Sequence, residues 1–269
     1  MEKDLNTKIL NVVQKGFNEA LSNYDLIVLD RDDSVLVKNN TYKHSSIYDD
    51  IMDRFSDFLN DDKMFKSIVE KMLLVNRQYT VKDKDELNVI IKRSVKIFGN
   101  ECDLNWIDTS LITNMTELFS GMKDFNGHIE KWDVSNVKNM DFMFYYAESF
   151  NQPIGDWNVG NVKDMSYMFF NADSFNQPID NWNVSNVTDM SYMFAYTIFF
   201  NQPINNWNIN AENMSYIFAH TKSFNQLIDN WNVSNVKYMT GMFYDALSFN
   251  QPLENWNVSH VKDMRFMFN

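Results

Sequence analysis

Tryptophan occurs seven times, at 106, 132, 157, 182, 207, 231 and 256, so successive copies are separated by 26, 25, 25, 25, 24 and 25 positions. One short unit is therefore used repeatedly through the C-terminal two thirds of the chain. A unit of about 25 residues cannot bury its own apolar face, so copies must stack and share a continuous core. Stacks of this kind offer long surfaces, and the expectation is binding rather than catalysis.

All four prolines (Pro153, Pro178, Pro203 and Pro252) and all seven tryptophans lie in the repeated part, so composition changes sharply near residue 100. The chain divides into a small, mostly helical N-terminal domain (1–78), an N-terminal cap with a degenerate first repeat (79–131) and tandem 25-residue repeats (132–269). In the first part Leu5, Ile9, Val12, Val13 and Phe17 share one helical face over 4–21, and Ile47, Ile51, Met52 and Phe55 do so over 46–59. A third helix is predicted over 64–75. Between the first two, Leu26-Ile27-Val28 and Val35-Leu36-Val37 flank an acidic turn. Asp30 and Asp32 in that turn resemble the D-x-D-x-T nucleophile motif of haloacid dehalogenase-like phosphatases. So small a domain has no room for that enzyme's wide sheet, and a hairpin with a solvated acidic tip is the better reading.

Aligned on their first methionine, the repeats place Val137, Met140, Met143, Phe144 and Ala147 at offsets of −3, 0, 3, 4 and 7, and Val162 to Ala172 and Val236 to Ala246 repeat the pattern. That spacing predicts one face of a helix of about ten residues, marginal alone and held by its neighbours. Ser135, Ser185, Ser234 and Ser259 stand as N-caps, with Asp164, Asp189 and Asp263 in the first turns. The proline-bearing connector (Phe150-Asn151-Gln152-Pro153-Ile154 and its copies) ends the helix, and Ile-x-x-Trp-x-Val then predicts a short parallel strand. Strands stack more closely than helices, so the array should curve with strands inside. The fold class read here is an α/β solenoid, leucine-rich-repeat-like, with Met, Phe and Trp filling the core. The fifth unit has one residue fewer between Trp207 and Met214, which predicts a tighter turn.

The asparagine after each tryptophan (Asn158, Asn183, Asn208, Asn232 and Asn257, with Asp133 first) is read as a stacked side-chain ladder that satisfies backbone groups along the array, in preference to a ligand-contacting row. Positions that vary between repeats carry an aromatic band: Phe142, Tyr145, Tyr146, Tyr167, Phe170, Tyr192, Tyr196, Tyr216, Tyr238, Tyr244 and Phe266. Partly exposed aromatic residues in such density anchor protein interfaces, and these are the candidate partner-binding residues; the alternative is packing between repeats.

The net charge is −12, and from Trp132 onward 6 basic residues face 13 acidic ones. Nucleic acid is disfavoured as a partner, and neutral or basic protein surfaces are favoured. Cys102 is alone and the four histidines lack ligand spacing, so no metal site and no cofactor is expected, and no catalytic constellation is visible. No segment has the length and apolarity to insert in a membrane. The start of the chain does not read as a signal peptide, which taken alone implies a cytoplasmic protein. The last repeat ends on an apolar face at Asn269, which invites end-to-end self-association or marks truncation of a longer array.

The stretch FNQPIGDWNVGNVKDMSYMFFNADSFNQPIDNWNVSNVTDMSYMF, with its W-x-V-S-x-V-x-x-M-x-x-M-F and F-N-x-x-I elements, resembles the repeats of BspA-like leucine-rich-repeat proteins. These are bacterial surface proteins, with copies in mycoplasmal lipoproteins and Listeria surface proteins. The resemblance covers residues 100–269, and YTVKDKDELNVIIKRSVKIFGNECDLNWIDTSLITNM is similar to the lead-in before such arrays, read here as a helix over 83–94 and a strand over 95–98. It implies a non-enzymatic scaffold that recognises a protein partner, in adhesion or host interaction, at the surface or exported. Two other classes stay open: an effector with an activity in the N-terminal domain, and an architectural protein assembling end to end.

Overall fold

The chain forms two compact units, Met1–Arg77 and Gln78–Asn269. The computed structural model describes residues 79–269 and two short segments, 26–28 and 35–37. In the first unit, β1 (Leu26–Val28) and β2 (Val35–Val37) pair antiparallel, with Ile27 opposite Leu36. The helices predicted over 4–21, 46–59 and 64–75, and the acidic turn with Asp30 and Asp32, lie outside the described residues.

The second unit opens with β3 (Tyr79–Thr80) and α1 (Lys84–Phe98). Asp83 caps α1 by accepting a hydrogen bond from the Glu86 amide at 2.9 Å, while the Glu86 carboxylate reaches back to the Lys82 amide. Leu87, Ile90, Ile91 and Ser94, spaced 0, 3, 4 and 7, form its buried face. The helix runs on through Phe98 and stops at Gly99, whose φ of 86° favours glycine. The strand expected over 95–98 is therefore absent. β3 instead pairs in parallel with β4 (Ile107–Asp108) of the first, degenerate repeat.

From there the backbone departs from the expected helices and strands. No residue after Asp108 is in a helix or an extended strand. The segment that carries the 0, 3, 4, 7 pattern is a run of tight turns: Met143 donates to the Met140 carbonyl, Tyr145 to Phe142, Ala147 to Phe144 and Phe150 to Ala147. The alternate amides turn outward, and each donates to the next repeat: Met140 to Asp164, Phe142 to Ser166, Phe144 to Met168 and Tyr146 to Phe170. Half of the amides that a helix would satisfy within itself thus join one coil to the next. A ten-residue helix is marginal alone, whereas a 25-residue period sets identical backbone beside identical backbone and lets a parallel ladder form.

The conformation that permits this recurs. Phe142, Tyr146, Tyr167, Asn171, Tyr192, Tyr196, Tyr216, His220, Asp245 and Phe266 all have φ between 53° and 61°. Left-handed backbone costs a side-chain-bearing residue about 1–2 kcal/mol, which the coil-to-coil bonds and ring stacking must offset. The expected serine caps and first-turn acids play another part. Asp164 and Asp189 accept from the amides two residues on, of Ser166 and Ser191, which fixes turns. Asp133 does the same for the Ser135 amide.

The parallel contacts between coils run through the residue before each first methionine, Asn114 to Asn139, Asp164, Asp189, Asn213, Tyr238 and Asp263, and the Ile-x-x-Trp-x-Val segment forms no strand. What that segment supplies is the tryptophan column. Each indole is buried, and from Trp132 onward each donates from Nε1 to a carbonyl of the preceding repeat, as Trp182 does to Ile154 at 3.1 Å and Trp231 to Ile204 at 2.9 Å. Beside it run two phenylalanine columns. Phe119, Phe144, Phe169, Phe194, Phe218 and Phe243 stack at 5.3–5.9 Å, and Phe125, Phe150, Phe175, Phe200 and Phe224 at 6.0–6.2 Å. Planar rings in register are what a ladder of coils accommodates, and each fully buried Phe contributes about 1.5–3 kcal/mol.

The fifth unit also differs from expectation. Where Val187 donates to Val184 and Val236 to Val233, no such turn bond closes between 209 and 213. Deleting one residue removes the turn rather than tightening it. Ala211 takes the valine's buried place, and the Glu212 amide keeps the bond to the preceding coil that its counterparts make, here to Thr188 at 2.9 Å.

Candidate protein-binding surface

The asparagine column beside the tryptophans acts within its own coil, not between coils. Asn183 accepts from the Ser185 amide and hydroxyl, and Asn232 and Asn257 accept from the amides of Ser234 and Ser259. The ladder between coils belongs to the connector asparagines: Asn126 accepts from the amide of Asn151, Asn151 from Asn176, Asn176 from Asn201, Asn201 from Asn225 and Asn225 from Asn250. The signal was the Phe-Asn pair itself, repeated once per coil at Asn126, Asn151, Asn176, Asn201, Asn225 and Asn250.

The aromatic candidates sort into three columns on the outward side of the turns. Phe142, Tyr167, Tyr192 and Tyr216 form the first, at 4.5, 4.5 and 4.7 Å between ring centres and within 13° of parallel. The backbone causes this order: every member has left-handed φ and donates its amide to the next coil, so one ring sits on the next. The column breaks at Gly241, where an added Cβ would lie 2.2 Å from the Tyr216 ring, and resumes at exposed Phe266. Burial pushes the Tyr192 phenol up to about 12, and the neighbouring Tyr167 and Tyr216 add to it. Burial likewise raises Tyr167 and Tyr145.

The second column starts with Tyr145 over Phe170 at 5.1 Å, continues with Ala195 and Ala219, and returns to an aromatic ring at Tyr244. The third is mixed: Tyr146, Asn171, Tyr196, His220 and Asp245, all with left-handed φ. Tyr196 and His220 stack at 4.2 Å, and His220 Nδ1 lies 3.0 Å from an Asp245 carboxylate oxygen. Ring contacts knit the columns together, among them Tyr145 with Tyr146, Phe170 with Tyr196 and His220 with Tyr244.

Ten of the eleven candidates therefore share one face. Tyr238 does not: it stands in the column of parallel contacts between Asn213 and Asp263, 43% exposed, and touches no ring of the band. Most of the rest are half-buried, so packing between coils and outward presentation are both features of the same side chains. Where the second column loses its rings, a cleft of about 360 Å3 opens over Ala219, bordered by Tyr192, Tyr196, Tyr216, His220, Tyr244 and Phe266. Sequence reasoning missed Ala219, Gly241, His220 and Asp245, because they are the gaps and exceptions in columns whose rings were counted.

Cys102 is buried. Among the described residues no group of three or more His, Cys, Asp or Glu is placed to hold a metal ion, and no helix is long and apolar enough to cross a membrane. A family model described as Mycoplasma protein of unknown function, DUF285, matches residues 92–207 and again 177–269, so the match itself runs in tandem along the coils. No curated protein and no solved structure matches the chain.

Proposed function

We propose a binding role from one premise: the chain belongs to the DUF285 family of Mycoplasma proteins of unknown function. On this reading the coils form a solenoid of the BspA-like kind, a non-enzymatic scaffold whose aromatic face recognises a protein partner in adhesion or host contact. The observation that carries it is the contrast between columns. The inward Met, Phe and Trp columns hardly change from coil to coil, while the second and third outward columns run through Tyr, Phe, Ala, Asn, His and Asp. A scaffold needs the first kind of column to stack and the second kind to distinguish partners.

The test is cross-linking capture from the native source with the full chain, comparing the wild type with a Tyr145→Ala/Tyr196→Ala variant that leaves the inward columns intact. Loss of one captured protein, with a cooperative unfolding transition retained, is the expected result. Identical capture by both proteins would remove the aromatic face as the recognition surface.

A further inference from the structure

The cleft over Ala219 interrupts a column that carries a ring at Tyr145, Phe170 and Tyr244. Phe170 leans on Tyr192 and Tyr196, at 6.3 and 5.2 Å, and so covers the flank of Ala195 while Ala219 is left beneath the opening. Gly241 removes a side chain from the first column, and the Tyr216 ring that borders the cleft lies in the space this leaves. The absence of rings at two coils is thus built into the sequence, on a face otherwise filled with them.

We propose that this cleft receives an arginine side chain of the protein partner. The inference rests on the protein-binding reading and names the chemistry by which the partner is recognised. Aromatic faces on several sides attract a cation through their ring quadrupoles, and guanidinium, being planar and weakly hydrated, stacks on tyrosine better than ammonium does. Behind the bordering His220 stands Asp245, its carboxylate 3.0 Å from the imidazole Nδ1 and its side chain 48% exposed, so a negative charge lies one side chain away from the cleft. Arg265, whose charge reaches Tyr216, is clamped on Asp263 by three hydrogen bonds of 2.7–3.2 Å, so its charge is already matched. The array's acidic balance from Trp132 onward adds long-range attraction of the same sign.

The experiment titrates the full chain with acetyl-Gly-Arg-Gly-amide and with its citrulline counterpart, which keeps the shape and lacks the charge, following ring-proton chemical shifts. The arginine peptide should bind about tenfold more tightly than the citrulline one. Ala219→Tyr, which restores the missing ring, should abolish that binding. Asp245→Asn, at an exposed position, should weaken it several-fold and reduce its salt dependence. Equal binding of the two peptides, or arginine binding that survives both substitutions, overturns the proposal. If arginine preference fails while capture still depends on Tyr145 and Tyr196, this inference falls alone and the protein-binding reading stands.

Discussion

Helix α1 and the repeat segment 140–147 carry the same spacing of buried positions, 0, 3, 4 and 7, yet one is a helix and the other a chain of turns joined to its neighbours. In α1 the pattern is Leu87, Ile90, Ile91 and Ser94, the amides are satisfied within the segment, and Asp83 with Glu86 caps the start. In the repeat it is Met140, Met143, Phe144 and Ala147, and alternate amides leave the segment for the next coil. The spacing fixes which residues face inward in both. What decides the backbone is whether an identical segment lies alongside to take half of the hydrogen bonds.

The largest effect expected from this contrast is at the ring columns. Phe169 is fully buried and stacks on Phe144 and Phe194 in the coils on either side, so Phe169→Ala should cost about 3–5 kcal/mol in urea unfolding. A loss no larger than that of an ordinary surface change would mean that the coils do not depend on each other. In α1 the matching vulnerability is local. Asp83→Ala removes the cap and should cost about 1 kcal/mol in the same measurement. Serine at that position should restore most of it.

A third check uses the outward column. The Tyr192 phenol is held above its ordinary value, at about 12, so the folded protein keeps a proton that the unfolded chain loses near pH 10. Its contribution is fully present below pH 10 and is lost as the pH rises toward 12. Ultraviolet titration of the full chain should show this tyrosine ionising later than exposed ones, and Tyr216→Phe, which removes one neighbouring phenol, should bring it earlier. Titration of every tyrosine near 10 would contradict the stacked column.

Much of this was legible from residues alone. The tryptophan spacing gave the 25-residue coil, the Val, Met, Met, Phe and Ala positions gave the inward columns, and the aromatic band gave ten residues of one face. The backbone was not legible, because helices and consecutive turns both return a side chain to one side every three or four residues. Tyr167, Tyr192 and Tyr216 also gave no warning of left-handed backbone, which glycine or asparagine usually marks. The cleft over Ala219 was hidden for a different reason: it is defined by side chains that are missing relative to the coils around it.

The most direct test of the stacked-turn account is a pair of glycine substitutions at exposed positions. Glu117 has a φ of 59° and begins the first outward column, whereas Lys92 lies within α1. The account predicts that Glu117→Gly raises stability by about 0.5–1 kcal/mol, through relief of left-handed strain. Lys92→Gly should lower it by about 1 kcal/mol, the cost of glycine inside a helix. Opposite signs in denaturant unfolding are the expected result; a loss of about 1 kcal/mol at both positions would show that the repeat segments are helices after all.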